Sequence, residues 1–236
     1  MGRLMLGKIT AIIAACLLSN MAHATKLVTP GIRGSDHDFT KLLLLNSRGA
    51  VLDEICIFCH TPHNGNSAVK ADAPLWNHTI TSSTFTPYTS DTIKFTPGQP
   101  VGVSKLCLSC HDGTIAIDAY GGSVGTKKMG DISAVGPKSK NLGTDLSDDH
   151  PISFVFDSAL ATADGELNDP DTSSVLPGLN SVTGLIKDEL LVKDTVLGDH
   201  VVQCTTCHDP HNGQGINTLL KVNNTGSALC LTCHNK

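Results

Sequence analysis

The sequence predicts a mostly irregular chain, with short helices, a small β-hairpin and a core that its own side chains do not complete. Three observations carry that prediction. Aromatic residues are 4% of the 236, with a single Trp76, while Gly, Ser, Thr, Asp and Asn abound. A chain so poor in large apolar groups struggles to offset its conformational entropy unaided. Eight of the nine cysteines fall in four identical Cys-x-x-Cys-His arrangements, and the stretches between them carry turn chemistry.

Residues 1–24 read as a secretory signal peptide. Arg3 and Lys8 supply the positive region, Ile9 to Leu18 the apolar one, and Ala22-His23-Ala24 a small-x-small cleavage site before Thr25. The apolar run falls short of the roughly 20 residues a membrane span requires, and no other segment could span one. An alternative is a lipid-modified Cys16, since Ile13-Ala14-Ala15 precedes it. Removing Arg3 and Lys8 leaves 15 basic side chains against 22 acidic ones. That balance argues against nucleic acid, whose phosphates require a basic face, and against an anionic membrane surface.

The four motifs are Cys56-Ile-Phe-Cys59-His60, Cys107-Leu-Ser-Cys110-His111, Cys204-Thr-Thr-Cys207-His208 and Cys230-Leu-Thr-Cys233-His234. No cysteine beyond residue 24 lies outside them. This is the pattern of c-type haem attachment. Two thiols add to the two vinyl groups of one porphyrin, and the adjacent histidine can then reach the iron. Zinc ribbons, thioredoxin-like redox pairs and structural disulfides also use paired cysteines. None of them requires a histidine after every second cysteine. The expected cofactors are therefore four covalently bound haem c groups.

His60, His111, His208 and His234 are the expected proximal ligands. Each iron has a sixth position, and Met129 is the one methionine beyond the signal peptide, so at most one haem could be His/Met. Six histidines remain for four places: His37, His63, His78, His150, His200 and His211. Bis-histidine ligation is the economical reading. It implies saturated irons suited to passing electrons, with no catalytic residue and no enzyme activity.

His63 and His211 each follow a proximal histidine by three residues, across Pro62 and Pro210. Such close neighbours share one face of a turn, whereas two ligands of one iron approach from opposite sides, each about 2 Å from the metal by analogy with other imidazole sites. His63 and His211 must therefore each serve a haem other than the one held by their own motif. His150, before Pro151, and His37, between Asp36 and Asp38, complete the favoured set; a carboxylate neighbour can orient an imidazole ligand. His78 and His200 rank below them.

The motifs expose an internal duplication. CxxCHxPHNG followed by LCLxCH occurs at 56–65 and 106–111, then at 204–213 and 229–234. The expected organisation is one unit over 25–236, with motif pairs 56–111 and 204–234 joined by a loop-rich segment. Leu190-Leu191-Val192 and Val201-Val202 are the candidate hairpin strands, and the motifs should sit on short helices. At about 53 residues per motif, the porphyrins would form the core.

GSDHD at 34–38, CIFCHTPHNG at 56–65, APLWN at 73–77, CLSCHDG at 107–113, DHPISF at 149–154, CTTCHDPHNG at 204–213 and LCLTCH at 229–234 carry a closer likeness. In that order they resemble the OmcE-type tetrahaem outer-surface cytochromes of metal-reducing bacteria, within the exported multihaem cytochromes with doubled CxxCH motifs. The resemblance implies extracellular electron transfer, a haem-stacked core and a homopolymeric filament in which a histidine ligates a haem of the neighbouring subunit. It makes His37 the natural donor in trans, and redox cytochromes and extracellular acceptors the partners. A histidine near a terminus is equally compatible with ligation within one chain. A monomeric periplasmic electron shuttle and a multihaem reductase of a small substrate or metal ion are the alternative functions.

Overall fold

Gly102–His111 forms α1, the longest helix in the computed structural model, which describes residues 31–42, 53–67, 73–129, 140–176 and 183–235. Ser104, Leu106, Leu108 and Ser109 are its buried positions. The buried hydroxyl of Ser109 donates back to the Lys105 carbonyl at 2.8 Å, which satisfies it within the helix. Asp112 ends α1: its N–H reaches the Leu108 carbonyl and the Gly113 N–H that of Cys110, and its carboxylate accepts from the Thr81 hydroxyl at 2.6 Å and the Thr114 N–H at 2.7 Å.

Four shorter helices follow. α2 (Ser158–Asp164) is capped by Asp157, whose side chain accepts from the Leu160 N–H, and closes on Gly165 in the left-handed region. α3 spans Ile186–Glu189, α4 Cys204–Cys207 and α5 Ala228–Cys233. Gln203 and Thr206 form a reciprocal capping pair at the start of α4. Short 3-10 turns occupy Phe39–Leu42, Asn217–Leu219 and Thr225–Ser227.

One three-stranded antiparallel sheet has the order β1-β3-β2. β2 (Val192–Asp194) and β3 (Gly198–Val202) make the expected hairpin, with an irregularity between Val192 and Asp194. Leu190 and Leu191 lie before β2 and are buried instead. β1 (Phe154–Val155) adds a strand that the sequence did not announce, pairing Phe154 with Val202 and Val155 with Val201. A two-residue strand is too short to carry an alternation pattern.

Three of the four motifs lie on helices as expected. The first is a single turn, with His60 N–H on the Cys56 carbonyl at 2.8 Å. Asn77 ties this turn down: its N–H binds the Cys59 carbonyl at 2.8 Å and its side-chain amide binds that of Ile57 at 3.0 Å.

A buried hub joins the second and third motifs. The Gln203 amide donates to Asp194 Oδ2 at 2.9 Å, and its oxygen accepts from the Ser153 hydroxyl at 3.2 Å. Ser104 on α1 accepts from the Cys204 N–H at 2.9 Å, so α1 and α4 are pinned side by side.

Among the described residues, most buried apolar side chains fall into five small clusters. Four of these border a motif cysteine: Cys59 and Cys110 in one, Cys233, Cys207, and Cys59 again. A domain of this length ordinarily builds one contiguous core. Among the described residues, no helix is long and apolar enough to cross a membrane. The expected signal peptide and Cys16 lie outside the described residues.

Candidate functional site

The duplication extends further than the motifs. After the first motif, the Thr61 N–H binds the Leu75 carbonyl at 2.9 Å and the Asn77 N–H binds Cys59. After the third, the Asp209 N–H binds the Leu219 carbonyl at 2.7 Å and the Lys221 N–H binds Cys207 at 2.9 Å. Residues 74–77 and 218–221 therefore play the same part. Leu75 and Leu219 both adopt positive φ, near 57° and 58°, as do Asn64 and Asn212, a conformation rarely tolerated by a leucine. Gly65 explains part of the His-Asn-Gly signature, since a Cβ there would collide with the Leu75 backbone. His60 bridges to Trp76, His208 to Leu220 and His234 to Leu167.

These paired segments orient the proximal histidines. His60 Nδ1 lies 2.8 Å from the Pro74 carbonyl, His208 Nδ1 3.0 Å from that of Thr218, and His111 Nδ1 2.7 Å from that of Lys140. A carbonyl can only accept, so each Nδ1 carries the proton and each Nε2 keeps its lone pair for a metal. Sequence reasoning missed Pro74, Thr218 and Lys140, because they act through backbone oxygens that any residue supplies. The signal was available only as the matching positions of Leu75 and Leu219 after the repeated motif.

Three of the four favoured distal candidates stand beside a proximal histidine of another segment. His37 lies 6.2 Å from His111, His211 6.1 Å from His60 and His150 6.4 Å from His234, between ring centroids. The interplanar angles are 47°, 22° and 76°. An iron bound at about 2.0–2.1 Å by each imidazole, with about 1.1 Å more to each ring centre, sets centroids roughly 6.2 Å apart. Rotation about the ligand axis leaves the interplanar angle free. The spacing thus fits haem iron between each pair.

The arm carrying His37 is fastened at both ends of this contact. Asp36 pairs with the Lys140 ammonium, whose residue also offers its carbonyl to His111. His37 Nδ1 lies 3.1 Å from the Pro210 carbonyl. Burial, then the nearby His111, lowers the His37 pKa to about 4, so its imidazole is neutral at physiological pH. His150 Nδ1 takes the Pro151 carbonyl at 2.8 Å. The resemblance made His37 a donor to a neighbouring subunit; in the structure His37 lies beside His111 of its own chain.

The remaining histidines are placed differently. His78 is 3% exposed, with Nδ1 2.8 Å from the Thr79 carbonyl and Nε2 2.9 Å from that of Ala116. His200 sits in β3 at positive φ. Met129 packs in the cluster of Phe39, Phe58 and Ile117. His63 is exposed, with Nδ1 3.3 Å from the Asn64 amide. Among the described residues, no histidine ring stands at ligand-pair spacing from His208.

A second observation bears on the fit. Trp76, edge-on to His60 with centroids 6.1 Å apart, buries an indole N–H that has no acceptor in the chain. An unsatisfied buried donor costs about 1–3 kcal/mol, and a bound group carrying carboxylates beside His60 would relieve it. Among the described residues, no three His, Cys, Asp or Glu side chains converge as a bare metal ion requires. None of the eight motif cysteines is paired in a disulfide.

The thiols also show which motifs adjoin. Burial, followed by the neighbouring Cys56, raises Cys59 to about 11; burial, then Cys59, raises Cys110. A hydrogen bond to Cys204 and burial raise Cys107. Burial and then the neighbouring Cys207 raise Cys233 to about 12. The packing runs in the same order: Cys59 and Cys110 border one cluster, the Cys204 N–H meets Ser104 of α1, and Cys207 borders the cluster that holds Leu229 of α5.

The doubled CXXCH motif family matches residues 199–236, the span holding the third and fourth motifs. No curated protein matches the chain. The family match supports a multihaem c-type cytochrome kind, with haem c bound covalently at CxxCH motifs and a part in electron transfer.

Proposed function

We propose that the chain is an exported tetrahaem c-type cytochrome that carries electrons along closely packed bis-histidine haems, as a subunit of an extracellular filament of the OmcE type. The observation that carries this reading is the set of three imidazole pairs at 6.1–6.4 Å, each joining a CxxCH histidine to a histidine from elsewhere. When bound, haem c supplies a one-electron Fe(III)/Fe(II) couple.

The chain's own work is to hold and orient. Cys56/Cys59, Cys107/Cys110, Cys204/Cys207 and Cys230/Cys233 would tether the four groups, with His60, His111, His208 and His234 on the proximal side. His211, His37 and His150 would be distal ligands for the first, second and fourth. Nδ1–H bonds to carbonyl oxygens fix the ring orientation and raise ligand basicity. The adjoining motifs would hold the four groups beside one another in that order.

Haem quantitation per chain, with electron paramagnetic resonance of the native material, tests the reading. Four haems, all low-spin, are expected together with filaments in electron micrographs. Fewer than four, or none, would overturn it, and monodisperse particles would favour the periplasmic shuttle. His208, without a partner ring among the described residues, favours one other reading: an open iron site in a reductase. A high-spin signal that binds nitrite or nitric oxide in the fully assembled protein would establish that reading instead.

A further inference from the structure

We infer that His78 is a buried imidazolium whose positive charge raises the potential of the haem tethered by Cys107 and Cys110. The inference deepens the cytochrome reading above and rests on it. His78 is 3% exposed, and both of its ring nitrogens face carbonyl oxygens. Nδ1 lies 2.8 Å from that of Thr79, and Nε2 lies 2.9 Å from that of Ala116.

A carbonyl can only accept, so each contact requires a proton on the imidazole side. A neutral ring has one N–H and one lone pair. Whichever tautomer it took, a lone pair would confront a carbonyl oxygen inside hydrogen-bond distance. The doubly protonated ring is the form that satisfies both contacts. The two oxygens turn the negative ends of their dipoles toward the ring, which offsets the cost of burying its charge. With both nitrogens engaged, His78 has no lone pair for an iron, and this separates it from the distal ligands.

Backbone bonds on both sides hold the ring in this position. The Asn77 N–H binds the Cys59 carbonyl at 2.8 Å, the Thr79 N–H binds that of Ala119 at 2.9 Å, and the Gly121 N–H returns to Asn77 at 3.2 Å. The same frame sets Nε2 3.5 Å from Cys110 Sγ. That sulfur is the atom through which the second motif would hold the edge of its porphyrin. A fixed positive charge beside it favours the state with one more electron, and a protein interior screens such a charge poorly. An open groove lined by His63, Asn77, Thr79 and Gly121 reaches His78 and gives its proton a way in from solvent.

The test uses the intact haem-loaded protein. In its fully reduced, diamagnetic state at neutral pH, nitrogen-15 spectra of the histidine-labelled wild type should show an imidazole off the irons with both nitrogens protonated. His78→Gln should remove that signal. Spectroelectrochemistry of the same variant should show one couple lowered, so that the ratio of reduced to oxidised haem at a fixed potential falls there by about tenfold. That couple should be the one that His37→Met displaces, since His37 lies beside His111 of the second motif. A merely structural role would shift the unfolding midpoint without singling out one couple. A neutral or iron-bound His78 in the wild-type spectra would overturn the inference, whether or not the variant folds, and leave the cytochrome reading intact. So would four unmoved couples in His78→Gln, or a shift at a haem other than the second. A protein without haem at Cys107 and Cys110 would sink the underlying reading.

Discussion

The ring centroids of His211 and His60 lie 6.1 Å apart with planes 22° from parallel, each residue belonging to a different half of the chain. Neither ring leans on the other for its position. His60 is oriented by the Pro74 carbonyl, and the His211 N–H is held by Asp209 Oδ1 at 2.9 Å. Two independent backbone frames thus present facing imidazoles, which is what a metal bound between them requires.

Substituting His211→Met should keep the haem at His60 six-coordinate and raise its potential, because a thioether stabilises the reduced iron relative to imidazole. Axial ligands span roughly 0.8 V across haem proteins. A spectroelectrochemical titration should show one of the four couples displaced upward and the other three nearly unmoved. Four unchanged couples would remove His211 from the ligand set.

His37 gives a pH dependence of definite sign. Its imidazole has a folded pKa of about 4 against an ordinary 6.5, chiefly through burial. Between those values the unfolded chain binds more protons, so stability rises with pH. The contribution is fully present above about 6.5 and is lost as pH falls toward 4. Thermal melts of His37→Asn should show a shallower decline across that window than the wild type.

The hub at α1 and α4 should be sensitive to small changes. A Cβ at Gly102 would overlap the Asp194 carboxylate, and its φ of +54° disfavours any other residue. Gly102→Ala is expected to destabilise by more than about 1 kcal/mol. Gln203→Ala should cost about 1–3 kcal/mol by leaving Asp194 short of a buried donor. Denaturant titration followed by the haem absorbance checks both.

Removing the haem should abolish cooperative folding. Five small clusters cannot replace a continuous core. A chain with all eight motif cysteines changed to serine, which blocks attachment, should melt without a sharp transition by circular dichroism. A sharp transition near that of the holoprotein would show that the side chains suffice.

The Asp36–Lys140 pair should matter little by itself. Its side chains are 50% and 30% exposed, and such pairs contribute about 0–1 kcal/mol. Asp36→Ala is expected to shift the unfolding midpoint within that range and to leave the low-spin spectrum unchanged. Loss of one low-spin haem would mean that Lys140 steers His37 as well as holding the arm.

The sequence by itself determined the attachment chemistry, the mostly irregular fold with short helices, and the hairpin. Covalent tethering is local: two thiols and an imidazole within five residues are visible wherever they occur. The spacing of neighbours alone also predicts that His63 and His211 serve irons other than those of their own motifs. The first motif makes a single turn, without the reciprocal Gln203–Thr206 capping that starts α4. Strand β1 was too short to announce itself.

Only the tertiary structure decided which histidines meet. It set His37 against His111, His150 against His234 and His211 against His60, and it left His63 and His208 facing outward. It also showed that Pro74, Thr218 and Lys140 aim the rings through their carbonyls. The physical reason is that a ligand pair is defined by opposition across a few ångströms of space. Opposition depends on how remote segments pack, and that information resides in no short stretch of the chain.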